Sequence, residues 1–214
     1  DIPVVVRSSS LLEDSAGSLF AGQFESFLGL QSEEDFLTAV RACWAALWSS
    51  RARQYMDTHD MSPAETAMAL VIQPLVQASV SGGGMSLTAD GSMAVTATWG
   101  LGSAIAQGEI VPDRYEVTRE GELSEVAAGR KDHSVSCQHH AEPSAEAISK
   151  QLSTEPCLDK SQIKVLAELM LKAEGLLGSS VEIEWSLDDT GFKMLQARPP
   201  VSYTHLTLPT NREV

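Results

Sequence analysis

The chain has 214 residues, 43% hydrophobic and 21% charged, with a formal net charge of −14 and a pI near 4.7. That composition is globular rather than disordered, fits one or two domains, and offers no basic field to nucleic acid or an anionic membrane. The longest apolar runs, such as Met68 to Ile72, are too short to span a bilayer, and no secretory signal opens the chain. Cys43, Cys137 and Cys157 are widely spaced and form no CxxC, which points to a reduced cytoplasm.

Ile2 to Val6 reads as a buried strand with no lead-in, as though the chain began inside an element. Arg7 to Gln23 reads as a loop rich in Ser and Gly. Ser32, with Asp35 three residues on and acids between, marks a helix start. Phe36, Val40, Cys43, Trp44, Leu47 and Trp48 recur at helical spacing and predict one apolar face, with Arg51, Arg53 and Gln54 at its C-terminal end. Ser62-Pro63 starts a short segment. Ala67 to Val76 reads as a buried strand that ends or reaches an edge at Pro74. Ser81 to Gly84 marks a turn or loop. Met85 to Ala89 and Met93 to Thr98 predict a hairpin about Asp90-Gly91. Trp99 to Gly102 leads into a short helix near Ser103 to Gln107, and Pro112 to Val117 reads as a strand. Asp132 to Pro156 is polar and weakly patterned, so a solvent-facing excursion is predicted. Leu158 to Gly175 reads as an amphipathic helix through Ile163, Leu166, Leu169, Met170 and Leu171, capped by Gly175. Val181 to Trp185 and Phe192 to Ala197 predict a second hairpin about Asp188 to Gly191. Strands and helices intermix without a βαβ rhythm, which predicts an α+β fold with mostly antiparallel sheets.

The C-terminal hairpin carries the clearest chemistry. Glu182 and Glu184 are two apart on a strand and share a face, as do Gln196 and Arg198. The hairpin sets Glu184 beside Gln196. A carboxylate, an amide oxygen and a guanidinium together suit Mg²⁺ and phosphate oxygens. The same spacing also suits a polar outer face with cross-strand charge pairs. Arg7, between an apolar strand and three serines, can grip phosphate bidentately or make a surface salt bridge. Gln73, inside an apolar strand, needs a partner, and a purine edge or the backbone would serve. Gly82 to Gly84 lacks the Gly-Lys-Ser/Thr ending of a P-loop, and Trp99 to Gly102 is no dinucleotide fingerprint. His133, Cys137, His139 and His140 match no structural zinc spacing and read as surface residues.

Beyond these local readings, two strings stand near the ends of the chain. Val5-Val6-Arg7-Ser8-Ser9 is followed by Glu13-Asp14 and Phe20-Ala21-Gly22-Gln23. Val181 to Trp185, which contains E-x-E-W, is followed by Leu195-Gln196-Ala197-Arg198-Pro199. Together they resemble the nucleotide-binding domain of the phosphoenolpyruvate synthase and pyruvate phosphate dikinase family, from about Asp1 to Pro200. The resemblance implies an ATP-grasp-like domain that holds ATP and Mg²⁺ between two α+β lobes. It implies Arg7 and Arg198 as the catalytic cations on the phosphates, with Gly22, Gln23 and their neighbours as a lid. Ser26 falls at a nucleotide contact, and Gln73 at the adenine edge. Glu184 and Gln196 would hold metal and phosphate, with Glu182 in support, while Glu13 and Asp14 order the loop.

The implied activity uses ATP to phosphorylate a histidine on a separate swivelling domain, which then converts pyruvate to phosphoenolpyruvate. None of the five histidines lies in such a carrier motif. Related possibilities are a rifampicin-type phosphotransferase with the same ATP domain, and a non-catalytic nucleotide-binding module. Two stretches depart from the family pattern: Ser103 stands where Glu is usual after W-G-L-G, and Ser81 to Asp90 is an altered glycine loop. The resemblance also implies that part of the N-terminal lobe, with an ATP-gripping Lys, precedes Asp1. Val201 to Thr210 resembles the translated read-through of a transposase sequencing adapter. Residues 1–200 are therefore expected to be the domain, and 201–214 a non-native tail.

Overall fold

The computed structural model describes residues 3–10, 26–58, 60–62, 64, 66–136 and 144–200. The strands divide by chain order. Those up to Pro74 build a three-stranded sheet, and those from Val80 onward build a six-stranded sheet and a two-stranded one. Among the described residues every strand ladder is antiparallel, so the predicted mixture of helices with antiparallel sheets is what forms.

In the small sheet, β1 (Val4–Ser10) lies between β2 (Ser26–Leu30) and β3 (Met68–Pro74). Alternation along β1 separates its two faces. Val6 packs under helix α1 (Glu33–Ala46) against Ala39, Val40 and Cys43, with Phe27, Leu30, Phe36 and Leu70 around them. Val5 packs with Leu75, Leu28 and Leu101 in a separate cluster. Arg7, two residues beyond Val5, shares the face turned away from α1. Helix α1 begins where predicted: Asp35 N donates to Ser32 Oγ at 3.0 Å, and Glu33, Glu34 and Asp35 occupy the positive end of the helix dipole.

Several predictions for this half need correction. The strand does not give way to a loop at Arg7; it runs to Ser10, because β3 pairs with it from Val4–Pro74 through to Ser10–Met68. Trp44 and Trp48 are not on a buried face but 52% and 63% exposed. One sheet covers only a stripe of a helix, and Ala39, Val40 and Cys43 already fill it. Arg51, Arg53 and Gln54 belong to a second helix, α2 (Ser50–Thr58), anchored by Ala52 and Met56. Strand β3 ends at Pro74 as expected, but it is an edge strand, so Val71 and Ile72 are exposed rather than buried. Pro63 lies outside the described residues.

The large sheet runs β11 (Gly191–Arg198), β10 (Glu182–Asp188), β4 (Val80–Met85), β5 (Met93–Trp99), β6 (Asp113–Val117) and β7 (Leu123–Ala127). One face is covered by α4 (Lys160–Leu177), which follows the short α3 (Ser103–Ala106) in the chain. A capping box starts α4: Gln162 N donates to Asp159 Oδ1 and Asp159 N donates to Gln162 Oε1, both at 2.9 Å. Gly175, predicted as the cap, lies inside the helix; Gly178, at φ 73°, ends it. Ile163, Leu166, Met170 and Ala173 pack on Val95, Ala97, Tyr115, Ile183 and Trp185, which makes the main core.

The triple glycine is not a loop. Gly82, Gly83 and Gly84 lie within β4, between β10 and β5, and the first hairpin therefore spans Val80–Met85 and Met93–Trp99 rather than starting at Met85. A Cβ at Gly82 would sit 1.9 Å from Thr96 O, and one at Gly84 would sit 3.1 Å from Met170 Sδ. Close approach of strand and helix, not turn chemistry, sets these residues.

Asp132 to Pro156 also differs from the predicted solvent-facing excursion. It contains β8 (His133–Ser136) paired with β9 (Ser144–Ala147), and Val135 is buried with Ala104 and Ile110. Cys137, His139 and His140 lie outside the described residues, and His133 pairs with Glu109 at 3.0 Å. A fully buried ion pair, Lys131 with Asp113, ties this region to the large sheet. Asp113 also accepts from Gly129 N at 2.7 Å, Cys157 N at 2.8 Å and Tyr115 Oη at 3.4 Å. Burial, with Asp113 alongside, pushes the Cys157 thiol and the Tyr115 phenol well above their ordinary ranges, so both remain protonated. Among the described residues no helix is long and apolar enough to cross a membrane.

Candidate functional site

The C-terminal hairpin forms as predicted and sets its polar residues in pairs. Glu182 faces Arg198 and Glu184 faces Gln196 across β10 and β11. The turn is fixed by Asp188, whose Oδ1 accepts from Thr190 N at 2.8 Å and Thr190 Oγ1 at 2.6 Å. These bonds, chiefly the one from the Thr190 hydroxyl, hold the Asp188 carboxyl below its ordinary range. Ile183 and Trp185 point into the α4 core, so alternation turns Glu182 and Glu184 to the opposite face.

Sequence spacing did not reveal a β-bulge here. The register shifts between Glu184 and Trp185, leaving Leu195 as the extra residue opposite. Without it, continuous alternation from Met194 would put Gln196 on the same side as Met194; the extra residue lets Gln196 meet Glu184. Next in the ladder, Gly83 pairs with Glu184 and brings no side chain to that face, so the carboxylate stands beside bare backbone. A small concavity is lined by Glu182, Ile183, Glu184, Gln196 and Arg198.

Arg7 reaches this group from the other sheet. Its Nη2 donates to Gln196 Oε1 at 2.6 Å and to Glu184 Oε2 at 3.3 Å. One cationic nitrogen thus sits where a carboxylate oxygen and an amide oxygen converge. That convergence tests whether the two residues suit a divalent cation: their oxygens already point at one position occupied by positive charge. Among the described residues no cluster of three His, Cys, Asp or Glu side chains forms a metal cage. A cation here would draw its remaining ligands from phosphates and water, as Mg²⁺ commonly does. Beside this group, Arg198 donates to Glu182 Oε2 through Nε at 3.2 Å, with Nη2 at 3.0 Å. Arg7 and Arg198 side chains are 24% and 25% exposed, so each guanidinium is held but open to a ligand.

Of the remaining candidates, Ser26 and Gln73 lie on the strands that flank β1. Ser26 pairs with Arg7 across β1 and β2 and is exposed. Gln73 pairs with Val5 across β1 and β3, so it shares the Arg7 face, and it is half-buried. Gly22, Gln23, Glu13 and Asp14 lie outside the described residues. Behind the site, Ser186, Ser81 and Thr98 form one cross-strand row on the face that carries Glu184. Ser81 Oγ donates to Gly100 O at 2.6 Å, whereas Ser186 Oγ and Thr98 Oγ1 are buried without a hydrogen-bond partner.

The profile of the family described as pyruvate phosphate dikinase, AMP/ATP-binding domain, matches residues 1–207. An uncharacterized phosphotransferase, YvkC, of Bacillus subtilis is 35% identical over 92% of this chain and 24% of its own length. A probable phosphoenolpyruvate synthase of Methanothermobacter thermautotrophicus is 32% identical over 93% of this chain and 30% of its own length. A rifampicin phosphotransferase of a Streptomyces species is 32% identical over 91% of this chain and 23% of its own length. The chain thus spans about a quarter of the length of the curated relatives it matches.

Proposed function

Because the chain belongs to the pyruvate phosphate dikinase AMP/ATP-binding domain family, we propose that it is the ATP-binding part of a phosphotransferase that phosphorylates a carrier histidine on another domain. In this reading the fold is ATP-grasp-like, with nucleotide held between the small and the large sheet. Residues 1–200 are the domain, and 201–214 are a non-native tail. The observation that carries the reading is the convergence of Arg7, from one sheet, on Glu184 and Gln196, from the other.

The resemblance of the two terminal strings to the family, together with residue chemistry, supports the following roles. Arg7 and Arg198 neutralise phosphate charge as it redistributes during transfer. Glu184 and Gln196 supply oxygens to Mg²⁺, which when bound neutralises phosphate charge, and Glu182 orients Arg198. Ser26 lies beside Arg7 to meet the phosphates, Gln73 meets the adenine edge, and Gly22 with Gln23 closes over the phosphates. ATP gives up one phosphate to the carrier histidine and one to water, leaving AMP and inorganic phosphate. The phosphohistidine delivers its phosphate to the enolate oxygen of pyruvate as the methyl group loses a proton, giving phosphoenolpyruvate, as in a pyruvate, water dikinase. The 214-residue chain alone has no turnover and binds ATP only at millimolar concentration; submillimolar affinity would overturn that statement. In the full-length protein, Arg198→Ala removes ATP-dependent phosphorylation, and retention of phosphorylation by that variant refutes the site assignment.

A second reading keeps the ATP half and changes the acceptor. It is favoured by the matches to a rifampicin phosphotransferase and to a prodigiosin synthesizing transferase of Serratia marcescens, the latter 31% identical over 92% of this chain. Product analysis with pyruvate and with rifampicin separates the two.

A further inference from the structure

The geometry points to Arg7 as a built-in blocker of the cation position: its guanidinium bonds one oxygen of Glu184 and the amide oxygen of Gln196, so divalent metal enters that position readily only together with a nucleotide whose phosphates draw Arg7 away. The inference rests on the reading of this hairpin as a metal and phosphate site and adds an order of binding to it.

Three observations carry the inference. First, the same nitrogen, Arg7 Nη2, bonds both Gln196 Oε1, at 2.6 Å, and Glu184 Oε2, at 3.3 Å. A divalent ion using either oxygen toward that point would stand within a few ångströms of a guanidinium, where two cations repel. Second, Glu182, the other carboxylate of this face, is taken by Arg198 at 3.0 Å, so it does not offer an alternative acidic ligand. Third, Arg7 and its two acceptors belong to different sheets, which follow one another in the chain through residues 75–79. That connection is bound at both ends: Leu75 N donates to Pro3 O at 2.8 Å, while Ser79 N donates to Leu187 O and Gly100 N donates to Ser79 O, both at 2.9 Å. Beside the packing of Leu101 on Val5, Leu28 and Leu75, the Arg7 bonds therefore add a polar link between the two sheets.

Arg7 thus contributes with opposite signs to the two ligands. It opposes bare metal by occupying and repelling, and it favours nucleotide by charge-assisted bonds to phosphate. Anionic phosphates offer the guanidinium more charge than one carboxylate and a neutral amide do. The exchange leaves Glu184 and Gln196 turned toward the metal that arrives with those phosphates.

The test uses Mn²⁺ as the probe, followed by its free-ion electron paramagnetic resonance signal, and ATP without divalent metal, followed by calorimetry. Wild type, Arg7→Met, Arg7→Lys and Glu184→Gln are compared as the full 214-residue chain, with circular dichroism melts reporting folding. The relevant Mn²⁺ site is the one lost in Arg7→Met/Glu184→Gln relative to Arg7→Met. Without nucleotide, Arg7→Met is expected to bind Mn²⁺ at that site on the order of tenfold tighter than wild type, from removal of one nearby positive charge. Arg7→Lys keeps the charge and is expected to stay within about twofold of wild type, whereas Arg7→Gln, which loses the charge, is expected to tighten as Arg7→Met does and replaces it, alone and with Glu184→Gln, where Arg7→Met fails to fold. Unchanged or weaker Mn²⁺ binding in Arg7→Met, or tightening in Arg7→Lys as large as tenfold, overturns the blocking role. The metal-free ATP titration tests the underlying reading separately: if Arg7→Met leaves ATP binding unaltered, Arg7 is not a phosphate ligand and both proposals fall.

Discussion

Asp113→Asn removes the charge from a carboxylate on which the junction between the large sheet and the segment leading into α4 depends. Both Asp113 and its partner Lys131 are fully buried. The two are not equivalent. Without Lys131, Asp113 still accepts from Gly129 N, Cys157 N and the Tyr115 hydroxyl. Without the Asp113 charge, the Lys131 ammonium is left in a site with no exposure to water. Breaking a buried pair so that one charge is stranded costs about 3–5 kcal/mol, and a charge that keeps other hydrogen bonds sits nearer 1–3 kcal/mol. Asp113→Asn is therefore expected to cost about 3–5 kcal/mol and Lys131→Met about 1–3 kcal/mol. The double variant is expected to cost at least about 1 kcal/mol less than the sum. Urea unfolding followed by tryptophan fluorescence reads this directly, because Trp185 is buried in the same core. A total of 5–15 kcal/mol is usual for a domain, so the Asp113 variant should show a large fall in midpoint. Strict additivity, or a Lys131 variant more damaging than the Asp113 variant, refutes the reasoning.

Other consequences follow from single contacts. Gly82→Ala places a Cβ 1.9 Å from Thr96 O and is expected to abolish cooperative unfolding, whereas Gly91→Ala, at φ 81° with open space around it, costs about 1–2 kcal/mol; equal effects would contradict the close-approach argument. Thr98→Val and Ser186→Ala each remove a buried hydroxyl without a partner and are expected to be neutral or stabilising by up to about 1 kcal/mol in thermal melts; a loss above that range shows a missing partner. The Arg119 guanidinium holds the Glu174 carboxyl below its ordinary value of 4.5, so this pair's contribution is present above that pH and fades as pH falls through the lowered value. Arg119→Ala should flatten the stability profile in that acid window by no more than about 1 kcal/mol, given the partial exposure of both side chains, and an unchanged acid limb refutes it.

How much of this was legible in the residues depended on the kind of interaction. Patterns set by alternation, caps and turns were readable: the start of α1 at Ser32, the body of α4, and the hairpin with Glu184 beside Gln196. Arg7 was readable as a cation poised after a strand, but not its bond to Gln196, because no local signal pairs residues of two different sheets. The glycines at 82–84 misled, since close packing against Thr96 and Met170 demands the same residue type as a turn does. Trp44, Trp48 and Ile72 misled because an apolar side chain at helical or strand spacing does not say whether an element has a neighbour on that side. Lys131 and Asp113 gave no signal at all, as an isolated Lys in a polar stretch looks like surface until its partner is placed. The bulge at Leu195 was likewise invisible, although it sets the site's register.

The central claim is that Arg7, Glu184, Gln196 and Arg198 form one nucleotide and metal site. The most direct measurement is a titration of the isotopically labelled chain with Mg–ATP at millimolar concentration, following the Arg7 and Arg198 side-chain Nε–Hε resonances and the backbone amides of β10 and β11. The account predicts saturable shifts of both arginine signals and of Glu184 and Gln196, all lost in Gln196→Ala/Arg198→Ala. Saturable shifts confined to other regions, or none at all at millimolar ligand, would contradict it.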